Sequence, residues 1–114
     1  MLYVDFTAGN KDYKLRLNTR NIVSLEKALG CNPLMIFGLD GERFPAITEM
    51  LEILHNSLQS YHHSISKEDT YKIFDEYLAD GNTASDFIKV IFDVYKASGI
   101  IREDAKIDGE SEKN

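Results

Sequence analysis

Cysteine occurs once, as Cys31. A lone thiol excludes an internal disulfide and fits a reducing compartment. No apolar run approaches the ~20 residues that a membrane span needs. No secretory leader is expected either, because Leu2, Val4 and Phe6 already alternate as in a strand. A cytosolic protein is expected. Basic residues fall short of acidic ones, 13 against 19, for a formal net charge of −6. That balance repels phosphate backbones and anionic lipid surfaces, so neither a nucleic-acid nor a membrane partner is expected. The basic residues are also scattered, with no aromatic-lined basic platform.

Patterns that carry chemistry are missing as well. Glu52-x-x-His55 matches half of a carboxylate di-metal motif, but that motif needs two such pairs and no second copy accompanies it. His55, His62 and His63 therefore read as solvated residues at a helix end and loop. Aligning Gly81 with the glycine of a calcium loop puts Leu78 and Phe87 where oxygen ligands are required, which excludes that motif. Cys31 has no partner base in its vicinity and reads as a small buried hydrophobe. Gly38-x-x-Gly41 marks a loop and not a phosphate cradle. No catalytic residue, metal or cofactor is expected, and the chain reads as a non-enzyme.

What the 114 residues do contain is one domain's worth of periodic elements. Leu2, Val4 and Phe6 share one strand face, and Tyr13, Leu15 and Leu17 share another. The residues between them, 8–12, tolerate a tight turn, so a β-hairpin is predicted. Two strands are marginal alone and need helices to rest on. Asn18 or Thr19 caps a first helix with Ile22, Leu25 and Leu29 on its stripe and Gly30 as its stop. Asn32-Pro33 opens a short turn through Phe37. A second helix begins near Pro45, with Ile47, Met50, Leu51, Leu54 and Leu58 facing inward and Glu49, Glu52 and Asn56 outward. Ser66 with Asp69, and Thr83 with Asp86, are start signals for two more helices. The third carries Tyr71, Phe74, Tyr77 and Leu78; the fourth carries Phe87, Ile88, Ile91, Phe92, Val94 and Tyr95.

The predicted fold is α+β and mostly α: an N-terminal hairpin packed on a bundle of about four helices, spanning 1–101. Residues 102–114 hold one large apolar residue, Ile107, with five acids and three bases. They bury too little to offset ordering entropy and are predicted to be a disordered acidic tail. The fourth helix is apolar beyond the roughly 100° stripe of a one-sided helix. It is either central in the domain or covered by another chain, which leaves a homo-oligomer open. Met35, Ile36 and Phe37 on a short turn, Tyr61 in a loop, and Ile100-Ile101 after a helix stop are hard to bury in so small a domain. With Phe92 and Tyr95 on the wide face, they are the candidate partner-binding residues.

Several phrases, in this order, resemble the tail assembly chaperones of long-tailed bacteriophages and prophages. They are Tyr13-Lys14-Leu15-Arg16-Leu17, Leu25-Glu26-Lys27-Ala28-Leu29-Gly30, Asn32-Pro33-Leu34 and Ile53-Leu54-His55. Phe74-Asp75-Glu76-Tyr77-Leu78 and Val94-Tyr95-Lys96-Ala97-Ser98-Gly99 follow, so the resemblance spans about residues 12–101. It implies an assembly factor in the host cytoplasm, absent from the finished virion. Such a factor binds the tape-measure protein and recruits tail-tube subunits. It also implies programmed frameshifting, and Glu112-Lys113-Asn114 is compatible with a slippery A AAA AAY heptamer for a −1 slip. The chain then corresponds to the short product of a pair. The alternative is a small helical adaptor or virion connector protein without chaperone activity.

Overall fold

The chain begins as a hairpin because its turn permits one. Gly9 and Asn10 both take positive φ, 57° and 66°, as a two-residue turn between twisted antiparallel strands requires. The computed structural model describes residues 1–105. Strand β1 spans Val4–Ala8 and β2 spans Lys11–Leu15. Phe6 faces Tyr13 and Val4 faces Leu15 across the pair. The strand starts two residues later than the alternation suggests, and Leu2 stays exposed.

Helix α1 (Thr19–Leu29) is closed at both ends by local chemistry. Asn18 and Asn21 exchange side-chain-to-backbone hydrogen bonds of 2.9 and 3.3 Å. Gly30 adopts φ 73° and donates its N–H to Glu26 O, the left-handed stop that glycine makes without strain. A 3₁₀ helix follows at Pro33–Phe37, capped by Asn32. Helix α2 spans Ile47–Leu58, α3 Lys67–Ala79 and α4 Ala84–Ala97. The Ser66/Asp69 and Thr83/Asp86 boxes form as reciprocal pairs.

The core is one cluster under the hairpin. Phe6 packs on Tyr77 and Phe87, which also pack on Phe74 and on each other, with ring centroids of these pairs 5.0–5.9 Å apart, the range of favourable aromatic pairs. Helix α2 touches α1, α3, α4 and β2 and is the hub of the bundle. Its inward face differs accordingly from the predicted stripe. Ile53 and Asn56 are buried, whereas Ile47 is exposed and Leu51 only half-buried. Asn56 satisfies its amide on Glu52 O at 2.8 Å. On α3, Ile73 is buried, and Tyr71 and Leu78 are exposed.

Arg16 is a clasp that local pattern does not reveal. Its guanidinium donates to Leu2 O and Ala97 O at 2.6 and 2.7 Å. Next to it, Leu17 N–H donates to Ser98 Oγ at 2.9 Å. The N-terminal strand is thereby tied to the end of α4. Ile100 N–H and Ile101 N–H both reach back to Tyr95 O. At residues 102–105 the chain turns, with Ala105 N–H on Arg102 O, and Glu103 lies 3.2 Å from the Met1 amine. The rest of the predicted tail, 106–114, lies outside the described residues. Among the described residues, no helix is long and apolar enough to cross a membrane.

Candidate functional site: an apolar groove beside helix α4

The groove starts from the half of α4 that the core leaves uncovered. Phe87, Ile91, Val94 and Tyr95 are buried, while Ile88 and Phe92 on the adjoining face are half-buried. The wide stripe is thus divided between core and groove. The 3₁₀ helix supplies Leu34 and Phe37, and the loop after it supplies residues 38–45. Together they enclose a groove of ≈ 540 Å³ lined by Leu34, Phe37, Leu39, Phe44, Ile88 and Phe92 among others. Phe37 forms the corner, edge-to-face with both Phe92 (6.4 Å) and Tyr95 (6.3 Å).

Polar groups fix the rim. Arg43 N–H donates to Phe37 O at 2.7 Å, and its guanidinium donates to Ile36 O at 2.7 Å and Glu49 Oε1 at 2.8 Å. Glu49 also accepts the Ala46 N–H at 2.7 Å and so caps α2, whose N-cap residue has no side chain able to do so. Burial alone pushes the Glu49 carboxyl up, but the Arg43 and Ala46 hydrogen bonds outweigh it and hold the group below its ordinary value. Asp40 Oδ1 accepts Glu42 N–H at 3.0 Å, tightening the tip. Gly38 and Gly41 take φ 80° and 78°. The result is a held loop that presents Leu39, 94% exposed, and Phe44, 65% exposed, to solvent.

Of the candidate partner-binding residues, the structure gathers Phe37 and Phe92 in the groove, with Met35 exposed on the same turn. Ile36 and Tyr95 are corrected from surface to core, since both are 0% exposed. The 3₁₀ helix turns Ile36 inward, and the Tyr95 hydroxyl donates to Pro33 O at 2.9 Å. Burial pushes that hydroxyl far above the usual tyrosine range. Ile100 and Ile101 fold back onto the core and are half-buried. Tyr61 lies elsewhere, edge-to-face with Tyr3 at 5.7 Å, with the Lys14 ammonium near both rings.

Leu34, Leu39, Phe44 and Ile88 were not signalled as partner-binding by their own stripes. The available signal was an apolar residue, Leu39, at the tip of a glycine-bounded loop.

The chain belongs to a family of unknown function, DUF6096. The match covers residues 4–113. No curated protein and no solved structure matches the chain. The family description carries no activity, and none of the comparisons points to tail assembly chaperones.

The remaining chemistry-bearing residues have other partners. Glu52 pairs with Lys67 of α3 and does not turn toward His55. His62 and His63 are bonded and not simply solvated: His62 accepts Lys14 N–H, and His63 Nδ1 lies 2.7 Å from Gln59 O. Cys31 is half-buried just past the end of α1. Among the described residues, no group of three or more His, Cys, Asp or Glu is placed to hold a metal ion.

Proposed function

We propose that this protein is a tail assembly chaperone that seats an apolar helical segment of the tape-measure protein in the α4 groove and recruits tail-tube subunits around it. The observation that carries the reading is the groove. Its ≈ 540 Å³ is sized for anchor side chains projecting from one helix face at i, i+3 or i+4 and i+7, not for a helix body. Leu39 and Phe44 are exposed large apolar residues held ready by the loop, so little ordering cost is left for binding. Asp40 and Glu42 on the rim favour a segment with lysine or arginine beside its apolar stripe. The phrase resemblance supplies the identity of the partner.

The test is light scattering of the purified tape-measure protein diluted from denaturant. Equimolar wild-type chain is expected to suppress its aggregation. Leu39→Asp and Phe44→Asp, at exposed positions, are expected to keep the wild-type circular dichroism and to weaken binding about ten-fold or more. A wild-type chain that neither binds nor suppresses aggregation removes the chaperone reading. Variants as active as wild type remove the groove from it.

A further inference from the structure

Strand β2 is an edge strand whose outward groups, with those of Arg16 just past its end, are taken up by the last turn of α2 and the turn after it. Lys14 stands opposite Asp5 in the hairpin, with its N–H pointing away from β1. That N–H donates to His62 Nε2 at 3.0 Å. Two residues on, Arg16 N–H donates to Ser57 O at 2.9 Å, and the Ser60 hydroxyl lies 3.1 Å from Arg16 O. The end of α2 and the turn after it thereby close an edge that would otherwise offer itself to another strand. The two contacts of Arg16 involve no group that changes protonation near neutral pH. The Lys14–His62 contact exists only while the imidazole Nε2 carries no proton, because a protonated ring has no acceptor.

We propose that His62 is an acid-operated latch: protonation of its ring releases the Lys14 N–H and opens the β2 edge, together with the Tyr3–Lys14–Tyr61 stack beside it. The groups that face the ring favour this response. β2 presents the Tyr13 ring, 5.4 Å away and edge-on, and the Lys14 ammonium. The turn itself presents His63 and Tyr61, and Tyr3 packs on Tyr61. Asp5 belongs to the far strand, opposite Lys14. Burial first, then the positive charges of His63 and Lys14, hold His62 below the ordinary value of 6.5. The folded state therefore binds this proton more weakly than the unfolded state. The latch's contribution is complete above the unfolded value and is lost as pH falls through the lower folded one.

The experiment is an NMR titration of the full chain from about pH 7.5 down to about pH 4.5. The His62 ring resonances and the Lys14 amide are expected to move with one midpoint below 6.5. Exchange of the Lys14 amide, corrected for its intrinsic pH dependence, is expected to rise about ten-fold across that midpoint. The Arg16 amide, bonded to a carbonyl, is expected to show no such step. His62→Gln, which cannot titrate, is expected to abolish the acid step whether or not the glutamine reaches the amide. A wild-type Lys14 amide that ignores the His62 titration overturns the latch. So does an acid step that persists in His62→Gln.

Discussion

Tyr95 combines the bulkiest fully buried side chain of the core with a hydroxyl that must find an acceptor inside it. The acceptor, Pro33 O, belongs to the 3₁₀ helix that carries Leu34 and Phe37 into the groove. One hydrogen bond thus links the core helix to the wall of the candidate site. Tyr95→Phe keeps the ring and leaves a buried carbonyl without this donor, a loss of about 1–2 kcal/mol. Urea unfolding is expected to show the midpoint falling with an unchanged slope; the proposed binding of a tape-measure segment, measured separately, is expected to weaken as the wall loosens. The sequence marks Tyr95 as apolar and interesting, but it cannot tell a surface aromatic from a core one. That distinction depends on the turn at Pro33, 62 residues away.

Helix and turn boundaries are the part of the fold that was legible, because caps are local. Asn18, Gly30, Asn32, Ser66 and Thr83 each act on groups within a few residues, and each stands where the structure uses it. Faces are not local. Helix α2 is surrounded by α1, α3, α4 and β2, so a single stripe cannot describe it, and Ile53 and Asn56 are buried against expectation. Arg16 is likewise invisible in the pattern, where it sits as the polar residue between two strand apolars. Its partners come from both ends of the domain: a backbone carbonyl near the N-terminus and the last carbonyl of α4. A cation at a helix C-terminus satisfies carbonyls that the helix cannot and opposes the negative end of its dipole. Arg16→Met keeps much of the stem and removes those bonds. An expected loss of about 1.5–3 kcal/mol is measurable by thermal unfolding. Amide exchange is expected to quicken most at Leu17, whose bond to Ser98 depends on the same junction.

At the scale of the whole molecule, the hairpin-on-bundle architecture follows from periodicity, but the groove does not. Its lining is drawn from a loop, a 3₁₀ helix and α4, and only packing brings Leu39 and Phe44 beside Ile88 and Phe92. Composition reveals an excess of aromatics and leaves open where it surfaces. The meeting of Met1 with Glu103 at 3.2 Å contributes little energy, since exposed ion pairs are worth about 0–1 kcal/mol. Its geometric meaning is larger: residues 1–103 trace nearly a closed ring of chain. Such a ring can be sealed at that junction and cut somewhere else without changing what packs against what. A circular permutant whose new ends lie between Gly41 and Glu42 is expected to melt within a few degrees of the original while losing the proposed binding of a tape-measure segment in the groove. Folding and recognition would then be separated by the position of a single peptide bond.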